Sequence, residues 1–274
     1  MKKSNVALQV YSVRGEMEKD FFGTLKKVKE MGYAGIEFAG LYGNDPLEIK
    51  KVCEELGLVT LSAHVPYQEL MADLEGTVET YRKLGCSYVV IPYLQEEYRK
   101  DKETFFETIE SVKKIGEAVK AAGMVLQYHN HDFEFEKFDD KYLLDILYEE
   151  VSPELLQTQI DTCWVNVGGE NPADYVRKYA GRIPTVHLKD FAGSKSENMY
   201  ALIGIDEDKT KDAAGTFEFR PVGKGLQVFS KIVEAADEGG AQWVIVEQDA
   251  PSMGMTDLES VEASIQYLLA EILE

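Results

Sequence analysis

The sequence predicts an α/β protein whose single domain, residues 1–274, is a closed (β/α)8 barrel, the TIM barrel fold. Eight short apolar runs alternate with eight amphipathic segments of helical period, a pattern typical of strands that helices cover. The connections are short, and no linker divides the chain. An open doubly wound sheet is the alternative, but no GxGxxG motif follows the first strand to favour a nucleotide-binding fold.

The first half of the chain contains four predicted strand–helix pairs. Pro46 suits the first turn of the second helix, and Gly57 ends that helix. The long fourth helix carries Phe105, Ile109 and Val112 at helical spacing, which indicates one buried face. The strands and the helices that follow them are predicted at residues 6–12 and 19–31, 34–38 and 46–56, 58–63 and 69–84, and 88–92 and 104–122.

The second half continues the alternation and contains one unusually long connection. The interval 193–219, after the seventh strand, is longer than an ordinary strand–helix link, and such loops often bind ligands. The fifth strand is predicted at the start of the stretch 125–135, ending before His129, and the helix after it at 141–150. The sixth to eighth pairs are predicted at residues 155–160 and 172–179, 183–188 and 226–236, and 243–246 and 258–273.

Four polar side chains lie at the C-terminal ends of the last four predicted strands: His129, Asp161, His187 and Glu247. A barrel enzyme builds its active site at the C-terminal ends of its strands, so these side chains are expected to meet. Two imidazoles and two carboxylates suit Mn²⁺, Zn²⁺, Co²⁺ or Fe²⁺. Such a cation polarises a carbonyl group and stabilises the enediolate that forms when a proton leaves the adjacent carbon. Glu247 is predicted both to bind the metal and to act as the base.

Each of these residues also has a plainer interpretation when taken alone. A histidine at the end of a strand is more often a hydrogen-bonded core residue, and Asp161 by itself would be a turn or helix cap. Glu247 by itself would pair with Lys189. The coincidence of four such residues on consecutive strands favours the metal site.

The composition excludes several classes of partner. The net charge is −20, from 29 basic and 49 acidic residues, and this field would repel nucleic acid. Three cysteines without CxxC spacing indicate a reduced, cytoplasmic compartment. No apolar run approaches the roughly 18 residues of a membrane span, and the N-terminus lacks the apolar core of a signal peptide.

Several motifs together carry a resemblance that covers essentially the whole chain. The segments LQVYSVR, IEF, SAH, HNH, QIDTCWVNVGG, VHLKD, PVGKG and VEQD resemble the sugar phosphate isomerase/epimerase family of xylose isomerase-like barrels, which includes ketose 3-epimerases and inosose dehydratases. In that family a Glu, an Asp, a His and a Glu from the last four strands hold the metal. Asp161, His187 and Glu247 match this pattern, whereas His129 stands where many members have the first Glu.

The resemblance implies a divalent-metal-dependent isomerase or epimerase that removes a proton next to the carbonyl of a sugar. The His129 replacement argues against epimerisation by two carboxylate bases. The alternative is a lyase or dehydratase on a keto-sugar or inosose, with Glu247 as base and His131, His64 or Lys189 as acid. An apurinic-site endonuclease would need more histidines and a basic groove. A barrel that binds a sugar without converting it is the remaining alternative.

The resemblance also implies a substrate site around the metal. We expect His131 and Lys189 to act in catalysis, although Lys189 alone would suit a salt bridge. No glycine-rich phosphate cradle is evident, which favours an unphosphorylated sugar as the small-molecule substrate. Relatives that assemble as dimers or tetramers are the basis for expecting a homo-oligomer. The predicted substrate contacts are Glu37, His64, Gln9, Tyr11 and Arg220.

Overall fold

The computed structural model describes residues 1–2, 5–195, 199 and 217–273. Eight parallel strands form a closed barrel in which each strand pairs with the next along the chain and the last pairs with the first. This topology confirms the fold class predicted from the sequence. The strands are β1 (Val6–Gln9), β2 (Gly35–Ala39), β3 (Val59–His64), β4 (Tyr88–Ile91), β5 (Val125–His129), β6 (Gln157–Asp161), β7 (Thr185–Leu188) and β8 (Trp243–Val246).

Helices cover the outside of the barrel between consecutive strands. None of those in the described ranges is long and apolar enough to cross a membrane. The principal helices are Phe21–Met31, Pro46–Leu56, Leu74–Leu84, Lys102–Ala121, Leu143–Glu150, Pro172–Lys178, Phe229–Gly239 and Asp257–Tyr267.

Three local elements differ from the sequence prediction. The first strand ends at Gln9, earlier than predicted, because Val10–Val13 forms a 3₁₀ turn capped by the Gln9 side chain. The predicted helix at 69–84 is two helices, because the carboxylate of Asp73 caps a second helix that starts at Leu74. A short helix, Thr162–Val167, was not predicted, and it begins immediately after Asp161.

The ends of the predicted loop 193–219 are held together by an antiparallel pair of short strands. Asp190–Ala192 pairs with Glu218–Arg220, and Asp190 also accepts hydrogen bonds from the backbone of Gly223, Gly225 and Gln227. Most of the loop itself lies outside the described residues.

The barrel interior is apolar at its base and polar toward the C-terminal ends of the strands. Ala7, Leu61, Tyr88, Val90 and Ile245 form a small buried apolar cluster separate from the main core under the helices. Two residues beyond Ala7 and Ile245 stand the polar residues Gln9 and Glu247, and both lie on the inner side of the barrel. The C-terminal end of the barrel interior therefore rests on an apolar floor.

Replacing Gly116 by alanine is expected to destabilise the protein, although alanine is the better helix former. A Cβ at this position in the helix Lys102–Ala121 would lie 2.5 Å from the carbonyl oxygen of Leu155, just before β6. Overpacking costs about 1–3 kcal/mol, whereas the gain in helix propensity is about 1 kcal/mol. We expect thermal unfolding to show a Tm lower by about 2–4 °C.

Gly15→Ala is the matched control for this change. Gly15 also lies in a helix, Arg14–Lys19, but the nearest heavy atom to its Cβ position is 4.0 Å away. This variant is expected to have an unchanged or slightly higher Tm. If Gly116→Ala were as stable as Gly15→Ala, the packing between this helix and the entry to β6 would not be as close as described.

Candidate metal centre

His129, Asp161, His187 and Glu247 converge at the C-terminal mouth of the barrel. Each comes from one of the last four strands, and one nitrogen or oxygen donor from each lies within 4.8 Å of the others. All four are buried, and Asp161 and His187 are completely inaccessible to solvent. The structure therefore brings together the four residues that the sequence suggested as metal ligands.

Two atoms of this cluster are buried without any hydrogen-bond partner among the described residues. His129 directs Nδ1 to the carbonyl oxygen of Pro92 at 3.0 Å, which leaves Nε2 facing the cluster. Asp161 caps the following helix with Oδ1, which accepts from the amides of Cys163 and Trp164, and leaves Oδ2 facing the cluster. The two partnerless atoms lie 3.3 Å apart. Buried polar atoms are rarely left without a hydrogen bond or a metal ion, so these two atoms are candidates for metal ligands.

His187 and Glu247 complete the set. His187 Nδ1 lies 3.0 Å from Glu247 Oε2, and its Nε2 lies 2.6 Å from Glu37 Oε1. Burial alone would lower the pKa of His187, but the carboxylates of Glu37 and Glu247 raise it to about 9. Burial likewise works against ionisation of Glu247, yet the Lys189 ammonium and the two imidazoles hold its pKa well below the usual range.

The centre contains an excess of negative charge. The buried ammonium of Lys189 lies 2.6 Å from Asp249, 3.1 Å from Glu247 and 3.7 Å from Asp161. One ammonium among three carboxylates leaves two negative charges, which a single divalent cation would cancel. Burial is the main reason that the pKa of Asp249 rises to about 6. The sequence prediction missed Asp249, which lies beyond the end of β8 and lines the same pocket as Glu247.

The donor atoms are spaced as the ligands of one cation would be. Ligands held about 2.1 Å from a metal in octahedral or tetrahedral geometry lie roughly 3.0 to 3.4 Å apart. The observed separations are 3.0 Å for His187 and Glu247, 3.3 Å for His129 and Asp161, and 3.6 Å for His129 and Glu247. The two imidazoles and two carboxylates therefore fit a divalent transition metal.

A second set of potential ligands overlaps with this one. His64, His129 and His187 also have donor atoms within 4.8 Å of one another. However, His64 Nε2 already contacts Gln159 Oε1 at 2.8 Å and Glu37 Oε1 at 3.0 Å. The four-residue set is preferred because it alone contains carboxylates and both of the partnerless atoms.

A pocket of about 400 Å³ opens onto the cluster. This is near the lower end of the range for small-molecule sites, which suits a ligand the size of a monosaccharide. The pocket lining includes His129 and Glu247 from the cluster, and the acidic residues Glu69 and Asp249. Four further residues singled out from the sequence also line it, namely Tyr11, His64, His131 and Lys189.

His131 lies in an aromatic wall of the pocket. Its ring stacks on Phe133 with centroids 5.1 Å apart and lies at the same distance from the ring of Trp164. Its Nδ1 is buried without a hydrogen-bond partner among the described residues. The pKa of His131 is held well below its ordinary value, mainly by burial and to a lesser degree by the charge of the nearby His129.

Two predicted substrate contacts, Glu37 and Gln9, lie beneath the pocket and do not line it. Both are fully buried, and Gln9 Nε2 donates to Glu37 Oε1 at 2.9 Å. The ladder between β2 and β3 shifts register at Ile36 and Glu37, and Glu37 lies level with Gln9 in the barrel interior. The sequence showed that Glu37 lies on a strand but not how deep in the barrel it is.

The remaining predicted contact, Arg220, lies outside the pocket lining. It is on the short strand Glu218–Arg220, and its guanidinium forms an ion pair with Glu218 at 2.8 Å. Its position after the long interval 193–219 suggested either a contact with a phosphate or carboxylate of the substrate or a solvent-exposed role. In the structure, antiparallel pairing with Asp190 fixes it at the base of that interval.

The chain is similar to known proteins in both sequence and fold. The family described as xylose isomerase-like TIM barrel matches residues 25–271. Inosose dehydratase of Clostridium beijerinckii is 25% identical over 258 residues, which cover 85% of this chain and 83% of the relative.

Two solved structures show the same fold at low sequence identity. A sugar phosphate isomerase/epimerase from Parabacteroides distasonis superposes with a TM-score of 0.77 at 22% identity, covering 97% of this chain and 98% of the other. The probable 3-DHS dehydratase of Bacillus anthracis superposes with a TM-score of 0.75 at 14% identity, covering 99% and 100%.

Proposed function

The chain belongs to the xylose isomerase-like TIM barrel family, and on that premise we propose that it is a divalent-metal-dependent dehydratase acting on an inosose or a keto-sugar. The sequence favoured an isomerase or epimerase, with a dehydratase as the alternative. The similarity to inosose dehydratases supports the alternative better, and one structural neighbour is a probable dehydratase as well. His129 in the place of a Glu also argues against an epimerase with two carboxylate bases.

The observation that carries this proposal is the pair of buried, partnerless atoms at the mouth of the barrel. His129 Nε2 and Asp161 Oδ2 face each other within a cluster of excess negative charge. His129, Asp161, His187 and Glu247 would hold the cation. When bound, a divalent metal would polarise the substrate carbonyl and make the adjacent carbon acidic.

Glu247 is suited to remove the proton from that carbon. Its Oε2 is the oxygen that lies near His187, His129 and Lys189. No described residue hydrogen-bonds its Oε1, and the residue lines the pocket. The proton passes to Glu247. The electron pair of the broken carbon–hydrogen bond forms the new carbon–carbon double bond, and the hydroxyl on the next carbon departs.

The departing hydroxyl needs a proton donor in order to leave as water. The Lys189 ammonium forms ion pairs with three carboxylates. These ion pairs favour its charged form, so Lys189 is better suited to balance charge than to donate a proton. His131 lies among aromatic rings, and its buried Nδ1 has no hydrogen-bond partner among the described residues. His64 lines the pocket and has a carboxylate partner in Glu37, so we assign it as the acid.

Incubation with inososes and keto-sugars in heavy water tests the proposal. A dehydratase is expected to release water and to give an unsaturated or diketo product, which mass spectrometry detects as a loss of 18 mass units (about one water). Prior removal of metal by a chelator is expected to abolish turnover, and added Mn²⁺ or Co²⁺ to restore it.

Two other outcomes would favour the alternatives. Deuterium incorporated next to the carbonyl without loss of water would favour an isomerase or epimerase. Tight binding of a keto-sugar that persists after metal removal, with no turnover, would favour a barrel that only binds sugar.

A further inference from the structure

Glu37 lies in the barrel interior, directly beneath the candidate metal centre. It is completely buried and does not line the pocket. Its carboxylate accepts hydrogen bonds from Gln9 Nε2 at 2.9 Å, Ser62 Oγ at 2.7 Å and Gln159 Nε2 at 2.6 Å. These donors fix both oxygens in place, so Glu37 is a rigid acceptor.

Two imidazoles present the same ring nitrogen to this carboxylate. Nε2 of His187 lies 2.6 Å from Glu37 Oε1, and Nε2 of His64 lies 3.0 Å from the same oxygen. His64 Nε2 is also 2.8 Å from Gln159 Oε1. The amide of Gln159 is oriented by its Nε2, which donates to Glu37 and to Thr185 Oγ1.

The protonation of both imidazoles follows from these acceptors. An ionised carboxylate and an amide oxygen can only accept hydrogen bonds, so Nε2 must carry the proton in both His187 and His64. The lone pair of each neutral ring is then on Nδ1. In His187, Nδ1 faces Glu247 within the metal cluster at 3.0 Å. In His64, no described residue hydrogen-bonds Nδ1, and the residue lines the pocket.

We propose that Glu37 is a positioning residue that sets the tautomer of both imidazoles, so that His187 presents Nδ1 to the cation and His64 presents Nδ1 to the substrate. This inference rests on the proposed function. A histidine that binds a metal commonly donates its other N–H to a carboxylate, which fixes the ring and strengthens the ligand. To act as the acid, His64 must carry a proton on both ring nitrogens. After it has given the Nδ1 proton to the departing hydroxyl, the neutral tautomer that remains has its proton on Nε2, and this is the tautomer that Glu37 stabilises.

The first test measures metal binding without turnover. Metal-stripped Glu37→Gln is titrated calorimetrically with Mn²⁺ or Zn²⁺, and we expect its affinity to fall about 10–100-fold. Both oxygens of Glu37 face donors, so the introduced NH₂ group must oppose either the imidazoles or Ser62 and Gln159. In either orientation the imidazoles lose an ionised acceptor that holds the proton on Nε2. Glu37→Asp keeps an acceptor-only group and is expected to retain more of the affinity.

Asp145→Asn is the matched control. Asp145 is a partly buried carboxylate that accepts hydrogen bonds from Tyr175, Tyr179 and Lys178, away from the pocket lining. The same chemical change there is expected to alter stability but to leave the metal affinity within about twofold, since no residue of the centre contacts it. Equal losses of affinity in the two variants would mean that Glu37 acts only through the stability of the barrel, and would overturn the inference.

The second test needs no variant. Zn²⁺ is diamagnetic, so ¹⁵N NMR of the Zn²⁺-loaded protein reports which nitrogen of each histidine carries the proton. We expect the proton on Nε2 in His187. A proton on Nδ1 of His187 would overturn the inference, as would an unchanged metal affinity in Glu37→Gln, and either result would leave the proposed function standing. An unmodified protein that binds no cation would overturn both.

Discussion

Replacing Glu247 by glutamine is expected to lower kcat about 1,000-fold, because general bases contribute roughly 10²–10⁴ to the rate. The amide keeps an oxygen that can bind the metal but cannot take a proton from carbon. We therefore expect the metal affinity to fall much less than the rate. The check is steady-state turnover at saturating Mn²⁺, together with the exchange of the proton next to the carbonyl into heavy water.

Glu69→Gln is the control for this prediction. Glu69 also lines the pocket with a carboxylate, but it is not part of the four-residue cluster. Its replacement is expected to change kcat by less than about tenfold. If Glu247→Gln kept more than a tenth of the unmodified rate, another group would have to be the base.

Replacing Asp161 by asparagine is expected to weaken metal binding by at least about 100-fold, since even the loss of an indirect partner of a ligand costs 10–100-fold. The metal-free protein is expected to become more stable. The asparagine keeps the oxygen that caps the helix Thr162–Val167, and it removes one carboxylate from a cluster with excess negative charge. A gain of about 1 kcal/mol would raise the Tm by about 2–4 °C. Calorimetric metal titration and thermal unfolding of the metal-free protein measure the two effects.

Asp161→Ala separates the two roles of this side chain. It should lose metal binding to a similar extent, but it also removes the helix cap, which costs about 1 kcal/mol. Its metal-free form is therefore expected to be less stable than that of Asp161→Asn. If Asp161→Asn bound the metal normally, Asp161 would be a helix cap and no more.

The sequence allowed the strands, their order and the four converging side chains to be predicted, because each depends on local pattern. Buried parallel strands are short apolar runs, and barrel strands deliver their C-terminal residues to one mouth. Asp161 illustrates both interpretations that the sequence left open. Its Oδ1 caps a helix and its Oδ2 faces the cluster, so the two interpretations are compatible.

Two residues of the site, Gln159 and Asp249, were not predicted. Side chains two residues apart on a strand face the same side, so Gln159 could have been inferred from Asp161, which follows it on β6. Asp249 lies beyond the end of β8, where the alternation of a strand no longer applies, and its place depends on the contact with Lys189. The depth of Glu37 could not be predicted, because it depends on a register shift between β2 and β3. The place of Arg220 depends on pairing between segments that lie far apart in the chain.

The central claim is that one divalent cation binds among His129, Asp161, His187 and Glu247. The most direct measurement is anomalous X-ray diffraction at a metal absorption edge, on crystals of protein whose metal content has been determined by elemental analysis. We expect about one equivalent of a divalent metal per chain and an anomalous peak between His129 Nε2 and Asp161 Oδ2. Protein without metal after growth in supplemented medium, or a peak away from these four side chains, would contradict the claim.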